Sequence, residues 1–348
     1  MSSPTITIGR AIGAGYPPFV IAELSANHLG SLERALAIVD AAADAGCDAV
    51  KLQTFTPASM TIESSRSDFH IADGPWQGRS LWDLYQEAQT PWAWHARLFE
   101  HGAARGLVVF STPFDELAVE HLDRLGTPAF KIASFELVDL ELIACAARTG
   151  KPLIMSTGMA SDAEVAEAID AARSHGNGGV ALLHCVSGYP TPIAQTNLRR
   201  LDAIARHGTV VGISDHSPGA VVPIAAVARG ASIVEKHLTL ARADGGPDAG
   251  FSLEPSEMAE VVRGTQLAFS ALGDGSAVRS TVEAGSRKFR RSLYAVDDIA
   301  PGQELTRDNV RSIRPAAGLP PRELPQVIGK RARVAIERGT PLAWDLIQ

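Results

Sequence analysis

Val210-Val211-Gly212-Ile213-Ser214-Asp215-His216 and Ile233-Val234-Glu235-Lys236-His237 are short apolar runs that stop abruptly at hydroxyl, carboxylate and imidazole side chains. Six earlier stretches have the same form, at residues 19–23, 49–53, 107–112, 130–134, 153–157 and 180–184. Each has the length of a buried strand, and each is followed by a helical pattern. Eight strand–helix units predict an α/β fold of the (β/α)8 barrel type, whose active site forms at the C-terminal ends of its strands. The reactive residues stand at those ends.

Side chains alternate along a strand, so parity sorts these residues. Lys51 and Gln53 share a face, as do Ser214 and His216, and Glu235 and His237. Lys236 has the opposite parity and points away from the lumen. His216 and His237, on adjacent strands, can share one divalent metal through imidazole nitrogen. Two protein ligands leave positions open for water and substrate, which is the arrangement of a catalytic metal. The ligand set leaves Mn, Co, Zn and Mg open. Lys51, Lys131, Thr112, Ser134 and Ser156 form a second group. Buried ammonium groups need anionic partners, and hydroxyls beside them can donate to the same oxygens. A phosphorylated carboxylic acid answers both needs; the competing reading is internal pairing with Glu23, Glu136 or Glu235.

The helices carry readable caps. Ser161 and Glu164 form a capping box ahead of Val165, Ala168, Ile169 and Ala172. Ser31 caps a helix bearing Leu32, Leu36, Val39 and Ala43, and Ser217-Pro218 reads as a cap followed by proline at the first helical position. The connection after Gln53 is far longer than the rest and contains Met60, Asp68, Phe69, Trp76, Trp82 and Tyr85; it reads as a lid or substrate wall, or as a flap packed by its own aromatics. Residues 1–273 therefore read as the barrel and 274–288 as a small, polar linker. Residues 289–348 read as a small β-rich module, with an echo between 299–305 and 336–342. A module that small is expected to dock on something.

The chain has 348 residues and a formal charge of −7, which argues against nucleic acid as the main partner; the basic cluster at 287–291 reads as a solvated or interdomain face. Cys47, Cys145 and Cys185 form no CxxC pair, so a reducing compartment fits. No signal peptide is visible, and no run approaches the roughly 20 apolar residues that span a bilayer. A cytoplasmic protein without a membrane partner is expected.

Together the motifs resemble the sialic acid synthase family. The matching stretches include Glu23-Leu24-Ser25-Ala26-Asn27-His28, Val50-Lys51-Leu52-Gln53-Thr54, Lys131-Ile132-Ala133-Ser134, Tyr189-Pro190-Thr191-Pro192, Ile213-Ser214-Asp215-His216, Glu235-Lys236-His237 and Phe251-Ser252-Leu253-Glu254-Pro255. The C-terminal module is similar to the antifreeze-like (SAF) domain of these enzymes, through Arg290-Arg291-Ser292-Leu293-Tyr294 and Ile313-Arg314-Pro315. The resemblance implies condensation of phosphoenolpyruvate with an acylamino-sugar aldehyde. It implies that phosphoenolpyruvate sits on Lys51, Thr112, Lys131, Ser134, Ser156 and Ser214, and that His216 and His237 hold the metal. Mn2+ is the preferred ion, with Mg2+ or Co2+ as alternatives. Glu23, Gln53, Tyr189, Asp248 and Arg314 would hold the sugar, with Glu23 or Glu235 as base or water-positioning group. It further implies a domain-swapped homodimer in which Arg314 caps the partner's site. One departure is Ala316, where glycine usually follows the proline.

Within the family the chain is most similar to the pseudaminic acid synthases, through residues 23–28, Tyr85-Gln86-Glu87-Ala88 and Gly245-Gly246-Pro247-Asp248. Ser187 stands where N-acetylneuraminate synthases tend to have asparagine. N-acetylneuraminate and legionaminate synthesis are the alternatives inside the family. Outside it stand a Schiff-base aldolase using Lys51, Lys131 or Lys236, and a saccharide-binding barrel without catalysis.

Overall fold

A computed structural model describes residues 3–276 and 281–348 and divides them into two compact units, 1–273 and 274–348. The first unit opens with an antiparallel hairpin, β1 (Thr5–Ile8) and β2 (Arg10–Gly13). Eight parallel strands follow: β3 (Phe19–Glu23), β4 (Ala49–Thr54), β5 (Val108–Pro113), β6 (Phe130–Ile132), β7 (Leu153–Ser156), β8 (Val180–Cys185), β9 (Val210–Ser214) and β10 (Ile233–His237). They close into a barrel in chain order, with β10 pairing β3. All eight expected strands form.

Helices α1 (Leu32–Asp44), α2 (Pro57–Met60), α3 (Leu81–Ala88), α4 (Trp92–Ala104), α5 (Glu116–Arg124), α6 (Leu140–Arg148), α7 (Asp162–His175), α8 (Arg200–Ile204), α9 (Val221–Ala228) and α10 (Pro255–Leu272) lie between and after the strands. Ser31 accepts from Arg34 N at 3.2 Å, and Ser161 with Glu164 forms the reciprocal box. Val165, Ala168, Ile169 and Ala172 are buried as the helical period requires. On α1 the deepest face is Ala35, Ile38, Val39 and Ala42, with Leu32, Leu36 and Ala43 packed at its margin. Ser217 does not cap α9, which begins at Val221 after Ala220. Its hydroxyl and N–H are committed to the Asp215 carboxylate, at 2.9 and 3.0 Å.

Parity divides the barrel core into two layers. Outward side chains such as Val20, Val50, Phe130, Leu182 and Val234 meet the helices. Inward side chains at the N-terminal end, among them Phe19, Ile21, Ala49, Phe110, Ile154 and Ile233, fill the lumen and are plugged by Ile6, Ile8 and Ile12 of the hairpin. Packing there is so tight that a Cβ on Gly212 would stand 2.6 Å from both Ile233 and Leu183. The next inward positions along the strands are polar, and they form the site.

The second unit contains the antiparallel pair β11 (Ser292–Ala295) and β12 (Val310–Ile313) around its own core of Leu293, Leu305, Val310, Ile336 and Leu342. The two echoed segments face each other: Ile299 N donates to Ile336 O at 2.8 Å and Ile336 N returns to Ile299 O at 2.9 Å. Within the stretch expected to be a plain linker, residues 277–280 lie outside the described residues, and Thr281–Ala284 and Gly285–Phe289 form helical turns. Arg314 is exposed just past β12. The Ala316 region is pinned by Ser292 Oγ, which donates to Pro315 O and accepts from Ala317 N and Gly318 N.

Candidate active site

At the C-terminal end of the lumen the inward chains change from apolar to charged. Lys51 Nζ lies 2.6 Å from Glu23 and 3.1 Å from Glu235, and Lys131 Nζ lies 3.5 Å from Glu235. All four are buried. Burial alone would raise the Glu235 carboxyl, but the ammonium charges of Lys131 and Lys51 outweigh it and hold the group well below the usual carboxylate range. Burial lowers Lys51 to about 7, with Glu235 opposing and Lys131 adding to the shift. The lysines therefore do not wait unpaired for an anion, because Glu23 and Glu235 already meet them. The hydroxyls are met only in part, since Ser214 Oγ donates to Glu235 Oε1 at 3.1 Å. The buried Oγ atoms of Thr112 and Ser156 have no hydrogen-bond partner, nor do Glu235 Oε2, Glu136 Oε2 and Ser187 Oγ. Unsatisfied buried polar groups are rare enough to mark a ligand site.

All of these residues except Glu23 and Thr112 open onto a cleft of about 770 Å³, within the usual span of small-molecule sites, about 300–1,000 Å³. Its floor carries Lys51, Lys131, Ser156, Ser214, Glu235 and His237, and Gln53, Ser134, Tyr189, His216 and Asp248 also line it. Glu23 and Thr112 do not line the cleft; Glu23 acts on it through Lys51. Ser134 Oγ accepts from Gly158 N at 3.1 Å, and a Cβ on Gly158 would strike the hydroxyls of Ser134 and Ser187 at 2.7 and 2.5 Å. Glycine there leaves room for both. Arg314 belongs to the second unit.

His216 and His237 are neighbours, with ring centroids 5.3 Å apart. His216 Nδ1 donates to Val186 O at 3.2 Å, which fixes the ring, while the buried Nδ1 of His237 has no partner. No group of three or more histidine, cysteine or carboxylate ligands gathers among the described residues. A divalent ion fits this pair with most of its coordination left to water and substrate. Lys236 faces outward, as its parity requires, and is bound to Asp215 at 2.9 Å.

Three residues of the site carry no signal in the strand pattern. Ser25 follows β3 in left-handed backbone, with φ of 48°, and joins Gln53 to Asp248. Glu136 lies in the loop after β6, where burial pushes its carboxyl up to about 7. Trp76 comes from the long connection at 54–90. That connection is a folded flap containing α2, α3 and a bridge between His70 and Ser80, and it forms a wall of the cleft. Met60, Ile71, Trp76, Leu81 and Tyr85 face the cavity from it, whereas Asp68, Phe69 and Trp82 do not line it. The Trp76 indole donates to Pro247 O at 2.8 Å and packs its ring 5.5 Å from Tyr189.

Fold and site together define a (β/α)8 barrel with an enzyme's small-molecule cleft at its C-terminal face. The chain belongs to the NeuB family, whose model matches residues 38–277, and a SAF domain matches residues 290–348. A pseudaminic acid synthase of Campylobacter jejuni is 42% identical over 325 residues, covering 93% of this chain and 95% of that protein. One from Helicobacter pylori is 40% identical, covering 95% of this chain and 98% of its own length. Among solved structures, the N-acetylneuraminic acid synthetase of Leptospira borgpetersenii superposes with a TM-score of 0.74 at 32% identity, over 82% of this chain and 95% of that one. The sialic acid synthase resemblance is thereby borne out across both units.

Proposed function

We propose that this protein condenses phosphoenolpyruvate with 2,4-diacetamido-2,4,6-trideoxy-L-altrose and water, giving pseudaminate and phosphate. The observation that carries this reading is the two-sided cleft. Its floor is charged and hydroxyl-rich, while its outer wall, with Met60, Ile71, Leu81 and Phe114, is apolar. A deoxy C6 methyl and two acetamido methyls suit such a wall; the free hydroxyls of N-acetylmannosamine would lose hydrogen bonds to water there. The pseudaminic acid synthases among the relatives point the same way.

Phosphoenolpyruvate rests on Lys51 and Lys131, with Ser134 and Ser156 donating to its oxygens from the cleft wall. Ser214 reaches it by turning from Glu235, to which its hydroxyl donates at 3.1 Å, and Thr112, also expected here, stands behind the wall. C3 of phosphoenolpyruvate attacks the sugar aldehyde, so no protein nucleophile is needed. Water then adds at C2, and the resulting tetrahedral carbon expels phosphate to leave the 2-keto acid. Glu23 and Glu235, expected as the base, are both engaged by Lys51, and Glu235 is held well below the usual carboxylate range. Glu136, whose carboxyl burial pushes up to about 7 and whose Oε2 is unpartnered, is assigned to take the proton of that water instead. Gln53, Tyr189 and Asp248 hold the sugar; Glu23, expected with them, does not line the cleft and instead engages Lys51 and the Ser25 N–H. His216 and His237 would hold a divalent ion, Mn2+ by preference. When bound, it supplies Lewis-acid polarisation of the aldehyde oxygen. The lysines are already balanced by Glu23 and Glu235, so a polyanionic substrate brings charge that a cation must offset. Arg314 is assigned to the partner subunit's cleft in a domain-swapped homodimer, and a reducing cytoplasm suits the three free cysteines.

The test is phosphate release from phosphoenolpyruvate with Mn2+, comparing the trideoxy sugar with N-acetylmannosamine. Turnover confined to the trideoxy sugar is expected. Preference for N-acetylmannosamine would overturn the substrate while leaving the family intact.

A further inference from the structure

Ser25 stands at the junction between β3 and the cleft with φ of 48°, a conformation that crowds the Cβ of any residue other than glycine. It is fully buried and lines the cavity. Serine in such backbone needs a compensating reason, and the contacts of its side chain supply one. Its hydroxyl donates to Asp248 Oδ2 and accepts from Gln53 Nε2 at 3.1 Å, so one oxygen ties the end of β4 to the loop after β10. Its own N–H donates to Glu23 Oε1 at 3.0 Å, and Ala26 N reaches Asp248 at 3.4 Å. Glycine would take the same backbone without strain, but it would leave the Asp248 carboxylate and the Gln53 amide without their shared partner.

We propose that Ser25 is a positioning residue for the sugar: its hydroxyl, held in left-handed backbone, fixes Asp248 and Gln53 in the geometry that reads the sugar's substituents. This rests on the assignment of Gln53 and Asp248 to the sugar under the proposed function. The hydroxyl touches neither lysine of the floor, so its influence falls on the sugar and spares phosphoenolpyruvate.

Two variants of the full chain test this with Mn2+ present. Ser25→Ala deletes the hydroxyl and keeps the backbone strain, while Ser25→Gly deletes the hydroxyl and relieves it. Both are expected to raise KM for the sugar about tenfold, the scale of one lost hydrogen bond in a buried site, with KM for phosphoenolpyruvate unchanged. Ser25→Gly should melt above Ser25→Ala, because only it relieves the backbone strain, while the sugar KM of the two rises alike; this separates a kinetic loss from a folding loss. An unchanged sugar KM in Ser25→Gly would overturn the inference, as would equal rises in both KM values. The sugar preferred by the unmodified enzyme is measured in the same assay. Preference for N-acetylmannosamine would sink the trideoxy substrate, and the Ser25 effect would still be read on the sugar that turns over.

Discussion

Glu136 is a side chain whose chemistry is set by its surroundings. Burial raises its carboxyl to about 7, its own backbone N–H, Lys131 and Lys51 pull it down, and Asp139 adds to the rise. If it acts as a base, its active form is the carboxylate, which disappears as pH falls below about 7. The wild-type kcat should therefore decline on the acid side, whereas Glu136→Gln should lose that limb and drop kcat by about 10²–10⁴. A Gln variant that kept both the limb and its rate would remove Glu136 from the proton transfer. Lys236 makes the opposite case. It is buried, faces the helices, and is held by Asp215 at 2.9 Å. Lys236→Met should lower stability by about 3–5 kcal/mol, because it strands a buried carboxylate, and thermal unfolding will show it. Alternation along β10 was enough to place Lys236 outside and Glu235 inside. It could not reveal Ser25 or Glu136, which follow the strands in loops where no period constrains direction. Nor could it show that Ser217 is engaged by Asp215 and unable to cap a helix.

At the level of elements, the barrel strands are legible because a strand buried on both faces must be apolar until it reaches the site, so its first polar inward residue marks the floor. The flap at 54–90 is less legible. Its cleft-facing residues Met60, Ile71 and Leu81 are spread over a turn-rich segment, where no single period assigns them a common direction. Trp76 bonds Pro247 through Nε1 and packs on Tyr189 and Phe251 with centroids 5.5 and 6.3 Å away. Trp76→Phe keeps the ring contacts and removes the N–H donor. It should raise sugar KM by about three- to tenfold and hasten protease cleavage within 54–90, since flaps open locally at low cost. A cleavage rate equal to wild type would mean that ring packing alone holds the flap.

At the scale of the whole molecule, the question is what completes the cleft. The floor carries two lysines against Glu23 and Glu235, so little positive charge is left over for a phosphorylated carboxylic acid. Arg314 is exposed on the second unit, and under the proposed function it supplies the further cation. In a domain-swapped homodimer, Arg314 would serve the partner subunit's barrel, and Arg314→Ala should raise substrate KM strongly without loss of the dimer. A mixing experiment separates that arrangement from action on its own barrel. His237→Ala leaves Arg314 intact but removes a proposed metal ligand, and Arg314→Ala leaves the floor intact; each variant alone should be nearly inactive at low substrate. If the module crosses between subunits, a mixed dimer joins the intact barrel of one chain to the intact Arg314 of the other, and one complete site returns. Random pairing of equal amounts makes half the dimers mixed, so about a quarter of wild-type activity should reappear after subunit exchange. If Arg314 serves its own barrel, every site in the mixture lacks one component and no activity returns, which would refute the swap even if the dimer itself is found.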